Sequence, residues 1–164
     1  MYAPEASSGS GGHCYAGCVA TAMSQVMKRW DHPAQGTGSH SYYCPGYGQQ
    51  SANFGQTTYH WELMPDRLGG ASQEEIEEVA LFMYHCGVSV DMGFSPSGSG
   101  ASSWDVPYAI RQYFSYSNQA SLKSRDEYSL TNWQNMLKES FDIGWPVYYS
   151  GYSNSGGQDR KSVV

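Results

Sequence analysis

The sequence has few charged residues and no cluster of basic ones. Only 15% of its 164 residues are Asp, Glu, Lys or Arg, and the formal net charge is -6. No basic run is longer than a pair such as Lys28 and Arg29. Proteins that hold nucleic acids or anionic lipids do so with clustered lysine and arginine. We therefore expect neither a nucleic acid nor a membrane as a partner.

Long apolar runs are missing too. No stretch approaches the roughly 20 apolar residues that cross a bilayer, and the first residues lack the basic and hydrophobic regions of a signal peptide. Cysteine is scarce, with four residues at positions 14, 18, 44 and 86. Their spacing, even with His13 and His85 beside two of them, fits neither a dense disulfide framework nor a structural zinc site. We expect no metal and no cofactor.

The sequence is rich instead in aromatic and small polar residues. It contains 14 Tyr, 5 Trp and 19 Gly, and 40% of the residues are hydrophobic. That length and composition suit one globular domain with a real core, and they are typical of extracytoplasmic proteins.

Hydrophobic periodicity predicts several helices separated by loops and short strands. The first helix begins at Cys18 and ends before Pro33, and the second is predicted from a capping box of Ser72 and Glu75 up to Gly87. Further helices are predicted over 104–114 and 130–142, with a turn-like helix over 61–68. Short strands are predicted at 41–43, 57–59, 88–90 and 146–149, and a Ser/Gly-rich loop at 94–103.

Cys18 is the strongest candidate for a reactive residue. It is predicted at the N-terminus of a helix, where backbone N–H groups and a partial positive charge stabilise a thiolate and could also stabilise an oxyanion. Position alone does not decide this, because a single cysteine at a helix start is more often structural or disulfide-bonded. A thiolate peptidase also needs a base, and the region expected for it in papain-like chains, from Tyr148 onward, contains no histidine.

Longer blocks of sequence carry a family resemblance. The segment GCVATAMSQVMK at 17–28, together with VSVDM at 88–92, the SPSGS loop at 95–99 and PVYYSG at 146–151, resembles the streptopain family of secreted bacterial cysteine peptidases. The similarity extends over nearly the whole chain, from Cys14 to Gly157.

This resemblance implies an α+β, papain-like cysteine peptidase fold, with a helical half and the first strands of a sheet half. It implies that Cys18 is the nucleophile, that the parent is secreted, that its substrates are proteins or peptides, and that an inhibitory pro-region could precede the domain. The substrate-binding residues implied by the family blocks are Ser95, Ser97, Gly98, Ser99, Gly156 and Gly157.

The family carries its catalytic histidine directly after Gly156-Gly157, and this sequence has Gln158 there. The oxyanion-hole glutamine of relatives also has no counterpart in this chain. Residues 158–164 depart from the family pattern, so we interpret 1–157 as a partial papain-like peptidase domain and 158–164 as a non-native tail. The chain as given is expected to be an inactive fragment, shortened at both ends.

Two alternatives remain open at the level of sequence. One is a secreted binding module without catalysis, in which Cys14–Cys18 or Cys44–Cys86 are disulfides and the Tyr/Trp-rich surface binds a glycan or a peptide. The other is a different papain-like enzyme, such as a bacteriocin-leader peptidase or a transglutaminase-like acyl transferase. The VSVDM and PVYYSG blocks favour streptopain over this second alternative.

Overall fold

The computed structural model describes residues 2–152 and 158–159, with residues 152, 158 and 159 described by their backbone alone. Four α-helices and two small antiparallel sheets are present in this part of the chain. The helices are α1 (Cys18–Trp30), α2 (Gln73–Val88), α3 (Val106–Tyr113) and α4 (Leu130–Asp142), and the strands are β1 (His40–Cys44), β2 (Gly48–Ala52), β3 (Gly151–Tyr152) and β4 (Gln158–Asp159). The fold class is α+β.

Helix α1 begins at the residue that the sequence predicts. Its apolar stripe is buried, with Val19, Met23 and Met27 at most 2% exposed, and it packs against α2. The helix ends at Asp31, whose left-handed backbone (φ 45°) lets its N–H bond the carbonyl of Lys28. Such a left-handed residue is a common way to close a helix before a proline.

Helix α2 starts with the predicted capping box. The Glu75 N–H donates to Ser72 Oγ at 3.3 Å, and the Ser72 N–H donates to Glu75 Oε2 at 2.7 Å. These two bonds satisfy N–H groups that a helix start otherwise leaves without an acceptor.

The strand predicted at 41–43 is confirmed as part of β1, which pairs with β2 in register His40 with Ala52 and Cys44 with Gly48. The prediction for 57–59 is wrong, because only one isolated bridge, between Gln35 and Thr58, forms there. The turn-like helix is shorter than predicted, a single 3-10 turn over Trp61–Leu63.

Two other predicted strands are also wrong. Val88 is the last residue of α2, and the next residues fold back in a turn that ends with the Met92 N–H on the carbonyl of Gly87. β-Branched residues suggested an extended chain there, but burial of Val88 and Val90 is achieved by a turn. Regular strand pairing after α4 begins at Gly151 instead of at 146–149.

The core lies between α1, α2, α3 and the β1–β2 hairpin, and it is built largely from aromatic rings and methionines. Phe54, Phe82 and Phe114 pack edge to face around its centre. Helix α4 lies outside this core and has no fully buried residue. Within the described residues, none of the helices is both long and apolar enough to cross a bilayer.

Candidate active site

Cys18 is the first residue of α1, and it is exposed. In the first turn of α1, the N–H of Thr21 donates to the carbonyl oxygen of Gly17 at 3.0 Å. The Thr21 hydroxyl donates to the same carbonyl at 2.9 Å. The backbone N–H groups at the start of α1 therefore lie at the positive end of the helix, next to Cys18.

Gly17 allows the chain to enter α1 at this angle. Its backbone has φ 90° and ψ 149°, a conformation that residues with a Cβ rarely adopt. A Cβ atom added to Gly17 would also lie 2.7 Å from Met92 Sδ and 3.1 Å from the carbonyl oxygen of Ser99. The backbone before Cys18 is thus pressed between the end of the VSVDM block and the SPSGS loop.

The SPSGS loop is anchored to the segment that precedes Cys18. Ser99 Oγ donates to the carbonyl of Tyr15 at 2.6 Å and accepts the N–H of Ser95 at 2.9 Å. The Tyr15 N–H in turn donates to the carbonyl of Ser95 at 3.2 Å. A bridge between Gly93 and Gly100 closes the base of the loop.

The predicted loop residues differ in exposure. Ser99 is buried and Ser95 is half-buried, whereas Ser97 and Gly98 are exposed at the tip. Ser97 Oγ lies 2.9 Å from Ser95 Oγ. The structure thus places this loop next to the segment that precedes Cys18. Ser95 and Ser99 hold the loop there, and Ser97 and Gly98 face solvent.

The remaining predicted site residues belong to the C-terminal part of the chain. The backbone of Gln158 lies in β4, paired with Tyr152 of β3. Gly156 and Gly157 lie outside the described residues.

The five histidines each have a structural environment of their own. His85 is buried in the core, with Nδ1 at 2.9 Å from the Tyr59 hydroxyl, and burial lowers its pKa to about 4. His40 Nε2 pairs with Asp91 Oδ1 at 2.6 Å. The other three contact the Ala3 carbonyl (His13), the Tyr116 ring (His32) and the Glu62 carboxylate (His60).

The other three cysteines are buried thiols. Burial raises the pKa of Cys86, which is fully enclosed in α2. The neighbouring Cys14 thiol is the main reason why the pKa of the Tyr47 hydroxyl is raised. Because Cys14, Cys44 and Cys86 are free thiols, neither of the disulfides considered from the sequence is formed. No group of three or more potential metal ligands occurs among residues 2–152 and 158–159.

Sequence reasoning missed two features of this site. One is the contact of Met92 with Gly17. The other is a pair of hydrogen bonds: Tyr42 Oη donates to the Met92 carbonyl at 2.6 Å, and His40 bonds Asp91. These bonds hold the segment 91–92 against the β1–β2 hairpin. The VSVDM block was the available signal, but only the fold shows what it contacts.

Comparison with known proteins identifies the family of this chain. The sequence profile of the Peptidase C10 family matches residues 1–162. The thiol protease/hemagglutinin PrtT of Porphyromonas gingivalis is 36% identical over 152 residues, covering 90% of this chain and 17% of that protein. Streptopain of Streptococcus pyogenes is 29% identical over 155 residues, covering 90% of this chain and 39% of streptopain.

Solved structures of the same kind share the fold. Active interpain A, a cysteine protease of Prevotella intermedia, superposes with a TM-score of 0.84 at 32% identity, over 95% of this chain and 65% of interpain A. A prointerpain A fragment from the same organism gives a TM-score of 0.83 at 32% identity, over 96% of this chain and 51% of the fragment. The chain spans less than half the length of the two curated relatives that it matches.

Proposed function

The chain belongs to the Peptidase C10 family and has a papain-like cysteine peptidase fold, and from that premise we propose that it is the nucleophile-bearing part of a cysteine endopeptidase. The nucleophile is Cys18. The observation that carries the proposal is that the exposed cysteine of the chain stands at the N-terminus of a buried helix, directly after a glycine that touches the SPSGS loop.

The reaction follows from that placement. The Cys18 thiolate attacks the carbonyl carbon of a peptide bond, and the helix N–H groups stabilise the oxyanion that forms. The C–N bond then breaks, and the departing amine takes a proton from a histidine acid. Water attacks the resulting thioester, the same histidine takes its proton, and the carboxylic acid leaves as the thiolate is restored.

The position of the histidine is residue 158, and in this chain it holds glutamine. An amide has no group that titrates near neutral pH, so Gln158 cannot exchange a proton with either the amine or water. This chain is therefore inactive in turnover, although Cys18 remains reactive toward electrophiles.

The SPSGS loop forms one wall of the substrate cleft. Ser95 and Ser99 hold it against Tyr15, while Ser97 and Gly98 at the exposed tip contact the substrate. Gly156 and Gly157, just before position 158, are further residues that we propose contact the substrate. Substrates are proteins or peptides, and the parent protein is secreted by a bacterium. An inhibitory pro-region precedes it, by analogy with the prointerpain A fragment.

The test uses a longer form of the protein. In this form the family continuation with histidine replaces residues 158–164, and the upstream glutamine-bearing segment is restored. Its activity is compared with that of its Cys18→Ala variant. Hydrolysis of a fluorogenic protein substrate is expected in the longer form and is expected to fall at least about a thousand-fold on Cys18→Ala. Cys14→Ala is the matched control and should retain hydrolysis. Activity that survives Cys18→Ala would refute the assignment of the nucleophile.

A second arm uses Gln158→His in the present chain. This substitution supplies an imidazole without the strands that would hold it against Cys18, so no hydrolysis is expected. Full activity of Gln158→His alone would show that the missing histidine was the sole deficiency.

A further inference from the structure

A second candidate binding surface lies at the opposite end of α1 from Cys18. Trp30 is the last residue of this helix, 12 residues beyond the cysteine, which corresponds to about 18 Å along the helix axis. Arg29 and Trp30 meet the chain that leaves the C-terminus of α4. We call this surface the Trp145 pocket.

The Trp145 pocket is an open cavity of about 280 Å³, lined by Arg29, Phe141, Gly144, Trp145 and Pro146. The Trp30 and Trp145 rings meet edge to face, with centroids 5.9 Å apart and planes at 84°. Trp30 and Phe141 are each 43% exposed and Trp145 is 54% exposed. Three large apolar side chains that remain this exposed in one place form a surface patch of the kind that marks a binding site.

The backbone holds the apolar wall of the pocket in place. Gly144, with φ 72°, closes α4 by donating its N–H to the carbonyl of Phe141 at 2.9 Å. The N–H of Trp145 donates to the carbonyl of Ser140 at the same distance. These two bonds form the glycine-terminated cap that commonly ends helices, and they fix the point from which the Trp145 ring projects.

Among the described residues that line the pocket, Arg29 is the only charged one. Its guanidinium carbon lies over the Trp30 ring, 5.6 Å from the ring centroid, which is within the range of a cation–π contact. Among the described residues, ion pairs involve Lys28, His40 and His60, and none involves Arg29. An arginine guanidinium can bind a carboxylate through two parallel hydrogen bonds.

The lining restricts the chemistry of the ligand. Four of the five residues present apolar surface or glycine backbone, so a neutral sugar, which needs several hydrogen-bonding partners, would leave most of its hydroxyls unmatched. The volume is slightly below the usual range for drug-sized ligands, so it suits one large side chain. The lining therefore fits a carboxylate joined to a single large apolar group.

We propose that the Trp145 pocket binds the C-terminal residue of a peptide, with the α-carboxylate on Arg29 and an aromatic or large aliphatic side chain against Trp145 and Phe141. The choice of a peptide as the source of the carboxylate rests on the proposed function, because hydrolysis of a peptide bond creates a new C-terminal carboxylate. The pocket would then retain a cleaved chain about 18 Å from the nucleophile, measured along α1.

The experiment measures binding in the Cys18→Ala variant of the present chain, so that neither cleavage nor covalent capture can occur. The probe is a short peptide ending in Phe with a free carboxylate and a fluorescent label at its N-terminus, followed by fluorescence anisotropy. The same peptide with a C-terminal amide is the matched probe. We expect the acid to bind at least about ten-fold more tightly than the amide.

Substitutions locate the site. Arg29→Gln should abolish the preference for the acid, and Trp145→Ala should weaken binding of both probes. Arg67→Gln removes an exposed arginine outside the pocket and serves as the charge-matched control, so it should change neither affinity. Circular dichroism of each variant establishes that it is folded.

Three outcomes would overturn the proposal. The first is that the peptide acid and the peptide amide bind with equal affinity. The second is that the peptide acid still binds the Arg29→Gln variant. The third is that decanoate binds in an Arg29-dependent manner while the peptide does not bind, which would indicate a fatty acid as the ligand. The proposed function fails separately, through activity that survives Cys18→Ala, and that result would not alter peptide binding at the Trp145 pocket.

Discussion

Met92 lies against Gly17, so close that a Cβ atom added to the glycine would be 2.7 Å from the methionine sulfur. Met92 is fully buried, and its carbonyl accepts a hydrogen bond from Tyr42 of the hairpin. The methionine therefore cannot easily move away from the residue that precedes Cys18. This contact connects the hairpin, through the VSVDM block, to the backbone of the nucleophile.

The first prediction concerns Gly17→Ala. The substitution combines a left-handed backbone, which costs about 1–3 kcal/mol, with a steric clash against Met92 of about the same size. The free energy of unfolding, measured in urea, should fall by more than it does for Gly70→Ala. Gly70 also has a positive φ, 87°, but a Cβ there would meet nothing within 4 Å.

A double-mutant cycle isolates the clash. In a Met92→Ala background the cost of Gly17→Ala should decrease, because the sulfur that the new Cβ meets is gone. An unchanged cost would show that backbone strain accounts for the whole effect.

The second prediction concerns Ser99→Ala. Loss of this hydroxyl leaves the carbonyl of Tyr15 and the N–H of Ser95 each without one partner, in a place where Ser99 is only 9% exposed. We expect the free energy of unfolding to decrease by about 1–3 kcal/mol. Ser97→Ala, at the exposed tip of the same loop, should change it by less than about 0.5 kcal/mol. Equal effects at the two positions would argue against an anchoring role for Ser99.

The third prediction concerns cysteine reactivity. Iodoacetamide at neutral pH should label Cys18 in the folded chain first, because it is exposed, and Cys86 last, because it is fully buried. Peptide mass mapping over time measures the order. Cys18→Ser should remove the fast phase and leave the slow ones. Equal labelling of all four cysteines in a chain shown to be folded would count against a reactive Cys18.

The fourth prediction concerns pH and the buried imidazole of His85. Its pKa is lowered to about 4 in the folded chain, against about 6.5 in the unfolded chain. Between these values the unfolded state binds a proton that the folded state does not, so stability falls as the pH falls from 6.5 to 4. The loss is at most about 3 kcal/mol and levels off below pH 4.

His85→Gln provides the comparison, since glutamine can still hydrogen-bond the Tyr59 hydroxyl but does not titrate. Urea unfolding at a series of pH values should show a shallower decline for this variant over that window. Curves that remain parallel for the two proteins would mean that His85 is not the source of the pH dependence.

Local sequence signals account for the helices of this fold. The capping box at Ser72 and Glu75 forms as predicted, and the apolar stripe that begins at Cys18 is the buried face of α1. These signals act within one or two helical turns, so they can be read without knowledge of the rest of the chain. The loop at 94–103 was predicted as a loop, and the resemblance to streptopain was confirmed by the family match.

Strands were predicted less well because their stability depends on a distant partner. The polar strand β2, Gly48–Ala52, carries no β-branched residue and was missed, yet it pairs along its full length with β1. The residues Val88 and Val90 have high strand propensity and were predicted as extended. In the described part of the chain no strand pairs with them, and they close α2 in a turn.

The sequence by itself determined the helices, the family and Cys18 as the candidate nucleophile, because these depend on residue identity and short-range spacing. Tertiary structure alone decided that Met92 presses on Gly17, that Ser99 ties its loop to Tyr15, and that the ends of α1 and α4 meet at Trp30 and Trp145. Each of these contacts joins residues more than 70 positions apart, and which residues meet over such separations is set by how the whole core packs.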